Sequence, residues 1–224
     1  MPKPRGQQKK TVKAKIHIFC EGAKTEPNYI RAYIEIKHPT VRSLKSENQP
    51  VKIIPTSKNT PKQLVEVATK FKKALDNLSD EVWVVYDRES PRKYADSVHV
   101  GAMSKALAKG VQIAFSNVCF ELWLLLHFQR VAISCDMCDD VIDHSHFKQA
   151  MAQIKVSSYA KGQADVASLI IKAKGTDVAT ANAKAINAAT IATAPEGDED
   201  KLYKLRPYTD VYKLLEAIDK IAAV

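Results

Sequence analysis

Residues 81–89, EVWVVYDRE, form a short apolar run that stops abruptly at two carboxylates flanking an arginine. A strand with one wetted face alternates apolar and polar residues, whereas a strand covered on both faces is apolar throughout. Glu81–Tyr86 has no polar alternation at its centre, so it reads as an interior strand with helices on both sides. Working outward, Lys15–Cys20 (KIHIFC) is a similar strand ending at Glu21-Gly22, and Val51–Pro55 and Val111–Phe115 are two more. Between them lie helical patterns. One runs from Pro27 through Lys37, with proline in the first turn, where its missing N–H costs nothing. A second opens at Thr60-Pro61 and runs to about Leu78, with Leu64, Val67, Ala68, Phe71 and Leu75 on one face. A third lies near Gly101–Lys109, and a strongly apolar one, read as capped by Ser116-Asn117, extends through Phe128.

Strand–helix alternation four times over predicts a parallel sheet with right-handed crossovers. Past residue 130 the pattern becomes helical, at about 144–154, 163–173, 177–192 and 208–222, with an acidic loop at Glu196–Asp200. The expected fold is α/β, a four-stranded mainly parallel sheet flanked by helices over 15–130. A basic disordered tail over 1–14 precedes it, and a mostly helical C-terminal part over 131–224 packs on it.

The 224 residues carry a formal net charge of +9, with 46% hydrophobic and 26% charged side chains, which excludes general disorder. The charge is uneven. Residues 1–15 hold six basic and no acidic side chains, residues 16–130 seventeen and twelve, and residues 131–224 eleven and thirteen, giving +6, +5 and −2. A polyanionic partner such as nucleic acid fits that balance, and so does a solvated basic surface. The longest apolar run, Val118–Phe128, is interrupted by Glu121 and His127 and is too short to span a bilayer. With four cysteines and no apolar signal segment, the expected setting is reduced and cytoplasmic.

In an open parallel sheet, ligands bind at the carboxyl ends of the strands. Glu21 follows the first strand, and Asp87 and Glu89 follow the third. Asp87 and Glu89, two apart, can point the same way if the chain stays extended. Clustered carboxylates repel one another and are tolerated best around a cation. An oxygen-only set suits Mg²⁺ or Mn²⁺ completed by water and substrate phosphate. Acidic residues after strands also serve simply as helix caps. No glycine-rich phosphate loop, GxGxxG or GxxxxGK[ST], occurs.

The segments IFCEGAKTEPNYI (18–30), VWVVYDRES (82–90) and IAFSNVCFELWLLLHF (113–128) resemble the RloB family of prokaryotic defence-associated proteins. YAKG (159–162) and RPYTDVYKLLEAI (206–218) fit the same family. The resemblance implies a Toprim-like fold, in which a strand-one glutamate and a DxD pair bind Mg²⁺ for phosphodiester chemistry. Glu21 matches the first; Asp87 and Glu89 match the pair, with Glu89 replacing its second Asp. Glu26 matches a further glutamate of OLD-like nucleases, displaced by one residue. The resemblance also implies an ATPase partner that controls the activity.

Supporting residues have two readings each. Glu121, inside FELWLLLHF, needs a cation or donor nearby, as a second metal ligand, an outer support, or half of a structural ion pair. Lys24 and Lys161 could contact phosphate or simply be solvated. His127 reads as a satisfied core histidine; Cys20, Cys119, Trp83 and Trp123 also read as core. Cys135, Cys138, His144 and His146 could supply four zinc ligands, but their spacing is not that of a standard finger and the interval is acidic. The resulting expectation is a metal-dependent nuclease acting on DNA or RNA in defence, with no membrane association and with homo-oligomers allowed. A non-catalytic nucleic-acid sensor and a primase-like nucleotidyl transferase are the rival readings.

Overall fold

The computed structural model describes residues 13–223. The segment expected to be a disordered tail therefore lies, up to residue 12, outside the described residues. The strands are β1 (Ile16–Cys20), β2 (Val51–Ile53), β3 (Glu81–Asp87), β4 (Gln112–Asn117) and β5 (Tyr208–Thr209). They form one sheet in the order β2-β1-β3-β4-β5. The first four run parallel, with Ile18 opposite Trp83 and Val85 opposite Ala114.

The fifth strand corrects the expected count of four. β5 runs antiparallel to β4, with Thr209 opposite Ser116 and Tyr208 opposite Asn117. Two residues carry no periodic signal, and β5 exists only because of its tertiary partners. The Asn187 side chain completes it, donating to Thr209 O at 2.9 Å and accepting from Thr209 N–H at 3.1 Å. That amide substitutes for a further strand, so the short edge keeps no unpaired backbone group at Thr209.

The helices are α1 (Thr25–Lys37), α2 (Pro39–Arg42), α3 (Pro61–Lys73), α4 (Asp96–Ala108) and α5 (Glu121–Leu126). α6 (Cys138–Asp143), α7 (Ser145–Gln153), α8 (Val166–Lys174), α9 (Asp177–Ala192) and α10 (Val211–Ala222) follow. Strand residues alternate between two cores. Val82, Val84, Tyr86, Phe19 and Phe115 pack on Leu64, Val65, Ala102 and Ala106 of α3 and α4. Ile16, Ile18, Trp83, Val85 and Ala114 pack on the other side with Tyr29 and Ile30 of α1 and Leu214 and Ile218 of α10. Residues 131–223 thus supply one wall of a core shared with the sheet.

Two local expectations shift. α3 stops at Lys73, short of Leu78, because Asn77 opens a turn: its Oδ1 accepts from Ser79 N–H at 3.2 Å and its Nδ2 donates to Asp80 at 2.8 Å. Ser116 and Asn117 cap no helix. They belong to β4, where Ser116 Oγ meets Thr209 Oγ1 at 3.0 Å and Asn117 Nδ2 donates to Tyr203 O at 3.2 Å. Among the described residues no helix is long and apolar enough to cross a membrane.

Candidate active site

At the carboxyl ends of β1 and β3 a cavity of about 420 Å³ is lined by Glu21, Lys24, Glu26, Asp87, Glu89, Glu121 and Lys161. β1 and β3 are neighbours with Cys20 opposite Val85, so the residues just beyond them are forced together. Glu21 N–H donates to Val85 O at 2.9 Å, extending the ladder. Glu21 Oε2 then accepts from Asp87 N–H at 3.1 Å, and Asp87 Oδ2 accepts from Phe120 N–H at 3.0 Å. Each carboxylate has one oxygen held in this way. The other two, Glu21 Oε1 and Asp87 Oδ1, are buried without a hydrogen-bond partner. Buried polar atoms are rarely left so.

Glu26 sits in the first turn of α1, and its Oε1 accepts from Gly22 N–H at 3.2 Å. Gly22 leaves the space that the Glu26 carboxylate occupies. A Cβ at this position would overlap Glu26 Oε2 and lie 2.7 Å from Oε1. Glu121 opens α5 and is 2% exposed; its Oε1 accepts from Tyr159 O–H at 3.0 Å. Lys161 follows in the same loop, which folds over the sheet edge. Gly162 O accepts from Asn28 Nδ2 at 3.2 Å, and Gly162, at φ +79°, lies so close to the Lys24 side chain that a Cβ would overlap it. The YAKG segment therefore reaches the cavity that the strand-end carboxylates line.

Glu89 departs from the extended geometry expected of it. β3 ends at Asp87, and Glu89 adopts φ +55°, the left-handed region that costs a non-glycine residue about 1–2 kcal/mol. Its N–H donates to Val118 O at 3.0 Å and its Oε1 pairs with Lys93 at 2.8 Å. Glu89 remains on the cavity wall, but with a cation already beside it. Lys93, Tyr159 and Gly22 were not singled out from the sequence. Gly22 and Tyr159 lie within the quoted segments 18–30 and 159–162 and Lys93 in none, but only the folded path of the chain gives the three their place beside the cavity.

Electrostatics follow from this crowding. Burial pushes the Glu21 carboxyl up from 4.5 to about 7, with Glu89 and Glu26 adding like-charge repulsion. Burial lifts Asp87 well above its ordinary range, and Glu26, Glu21 and Glu121 lift it further. Glu26 and Glu121 are raised mainly by burial, and Lys161 opposes the rise in both. The donor set is all oxygen, two of its buried oxygens lack partners, and its charges repel. Those features fit a hard divalent cation that keeps water ligands.

The cysteines depart from the reduced set expected. Cys119 and Cys138 form a disulfide, while Cys20 and Cys135 are free and buried. Cys135, Cys138, His144 and His146, weighed above as a zinc set, are not gathered within ligand distance of one another among the described residues. Cys138 is bonded elsewhere, and His144 and His146 stack on each other at 5.0 Å between ring centroids. Among the described residues, the three ligand-type side chains gathered within 4.8 Å are Cys119, Glu121 and Cys138, but the two sulfurs are committed to each other. The strand-end carboxylates are more openly spaced, around a cavity with room for water and a phosphate. His127 is a satisfied core histidine: Nε2 meets Tyr29 Oη at 2.9 Å, Nδ1 meets Trp123 O at 3.0 Å, and burial lowers its pKa to about 4.

Glu26 offers a direct test of the cavity's construction. Gly22→Ala should fold normally but swing the Glu26 carboxylate away, weakening Mn²⁺ binding about tenfold. Isothermal titration of Mn²⁺, with circular dichroism as the folding control, reads both. Unchanged affinity would separate Glu26 from the centre.

No curated protein and no solved structure matches the chain. The model of one family, described as RloB-like protein, matches residues 16–218, a span that runs from the first residue of β1 into α10 and takes in every residue of the cavity. With nearly the whole folded chain inside that match, this protein belongs to the RloB-like family.

Proposed function

We propose that the protein is a Toprim-type nuclease that uses Mg²⁺ or Mn²⁺ to cleave phosphodiester bonds in prokaryotic defence, under the control of an ATPase partner. The observation that carries this reading is the pair of buried, unpartnered oxygens, Glu21 Oε1 and Asp87 Oδ1, at adjacent strand ends. Glu21 and Asp87 would hold the ion, with Glu26, Glu89 and Glu121 as further ligands or supports. The chemistry such an ion supplies is activation of water and neutralisation of the charge developing on phosphate. Lys24 and Lys161 bind and orient the phosphate from the two loops that meet at Gly162. If Glu21 does not itself ligate the ion, its place at the strand end lets it act instead as the general base for the attacking water.

The direct test is Mg²⁺- or Mn²⁺-dependent cutting of plasmid and tRNA by wild type and by Asp87→Ala. Equal cutting by both proteins, or none by wild type with the ATPase present, sinks the nuclease reading.

A pH dependence accompanies it. A cation must displace the proton that Glu21 holds below about pH 7. Mn²⁺ affinity should therefore rise about tenfold from pH 6 to pH 8 and level off above. The sign for metal-free stability is opposite. Folded Glu21 binds more protons than unfolded Glu21 between 4.5 and about 7, so stability falls as pH rises through that window. Thermal melts with and without Mn²⁺ across this range check both signs; Mn²⁺ stabilisation that is flat with pH refutes the coupling.

A further inference from the structure

The carboxylate cavity does not end at Glu26. A second hollow of about 210 Å³ shares Gly22 and Ala23 with it and runs over Cys20 and Pro27. That hollow in turn shares Arg31, Ile53 and Ile54 with a third, of about 380 Å³, along the outer edge of β2. Shared lining residues thus link the three end to end, from the strand ends to the edge of the sheet, as one groove-like track.

Its chemistry changes along the way. The far end has an apolar floor of Ile34, Val41 and Ile53, and it carries Arg31, Arg42 and Lys52. Arg31 and Arg42 are exposed and Lys52 half-buried. Among the described residues, none of the three has a carboxylate within ion-pair distance. Glu35 on the same wall is the one opposing charge there, leaving a surplus of two positive charges on the lining.

We infer that a single-stranded polynucleotide approaches the carboxylate centre along this groove, its phosphates held by Arg31, Arg42 and Lys52 and its bases against the apolar floor. Cationic tracks that follow a phosphate backbone are the general means of holding single strands. The floor decides between one strand and two: a duplex keeps its bases stacked inside and offers such a surface only phosphate and sugar. This inference rests on the nuclease reading for what happens at the Asp87 end, but the groove itself is tested by binding alone.

The experiment is fluorescence anisotropy with labelled 20-mers of oligothymidine and oligouridine, in Asp87→Asn protein with EDTA so that nothing is cut. The triple variant Arg31→Ala/Arg42→Ala/Lys52→Ala is compared with Lys62→Ala/Lys70→Ala/Lys73→Ala on α3, which removes equal charge from exposed positions against the other core. The groove variant should bind at least one oligomer tenfold or more weakly, and its log–log salt slope should fall by about 2, as for three lost phosphate contacts on a single strand. The α3 variant should bind within about twofold of the parent, and a 20-base-pair duplex should be insensitive to the groove substitutions. Equal loss in both triple variants, a duplex weakened as much as the single strand, or no binding by the parent overturns the inference. Cleavage is a separate readout. Groove-dependent binding without any cutting would refute the nuclease and leave the groove. Cutting of single strands by the groove variant at the wild-type rate would refute the groove and leave the nuclease.

Discussion

Asp87→Asn is expected to stabilise the metal-free protein while abolishing its metal response and its cleavage. The substitution keeps an oxygen for the Phe120 N–H, which Asp87 Oδ2 accepts at 3.0 Å, so local geometry has a reason to persist. What it removes is a buried charge facing Glu21, Glu26 and Glu121, all of which raise the Asp87 pKa after burial itself. Relieving that repulsion should raise the metal-free melting temperature, the sign expected when a member of a buried like-charge cluster is made permanently neutral. Mn²⁺ should then add nothing to the melting temperature. Cleavage should fall on the order of a hundredfold or more, beyond the 10–100-fold typical of losing an outer partner of a ligand. A structural ion-pair site predicts the reverse pattern: destabilisation, with no change in any Mn²⁺ effect. The two measurements together separate a metal centre from a buried acidic scaffold.

The sheet was legible where the strands were long enough to show their burial. Val82–Tyr86 is apolar without a break because consecutive residues serve two different cores, and that pattern is visible in one dimension. The strand-end carboxylates were legible as residues at the carboxyl ends of parallel strands, while the adjacency of β1 and β3 that puts Glu21 beside Asp87 came from the fold. Glu121 declared itself as a charge in an otherwise apolar helix. Features that depend on remote parts of the chain meeting left no mark. β5 is two residues paired to β4 and closed by Asn187, and no local propensity encodes that. Tyr159 reaches Glu121 across 38 positions, and Gly22 matters only because Glu26 folds back over it. Cys135, Cys138, His144 and His146, disfavoured as a zinc set on spacing, make the complementary point. They are close in sequence but not gathered in space, and Cys138 pairs with Cys119, 19 positions away.

Arg88 carries the largest expected effect on folding, and its neighbours Asp87 and Glu89 are what it holds in place. Only 2% of it is exposed, and each end of its guanidinium is used. Nε donates to Tyr203 O at 3.0 Å, Nη1 to Tyr94 O at 2.9 Å, and Nη2 to Asp96 at 2.7 Å. Nη1 also lies 3.2 Å from His99 Nε2. Burial, with the Arg88 charge adding to it, lowers the His99 pKa to about 4, so the imidazole is neutral and accepts that bond. One side chain thus ties the end of β3 to the loop before α4, to α4 itself and to the segment leading into β5. Arg88→Met preserves the aliphatic stem but strips the donors from two carbonyls and a buried imidazole, while half-exposed Asp96 can rehydrate. Removing one partner of such a buried network costs about 3–5 kcal/mol, a large share of a typical 5–15 kcal/mol stability. Arg88→Lys should cost less, about 2 kcal/mol, because one ammonium cannot serve three directions at once. Urea unfolding should show both losses as a lowered midpoint at constant slope. A loss under 1 kcal/mol for Arg88→Met would mean that the Tyr203 and Asp96 segments are anchored by other contacts. If the predicted losses are found, the geometry of the carboxylate centre depends on the C-terminal third of the chain, through the Tyr203 carbonyl. Folding of that third and assembly of the centre would then be a single event.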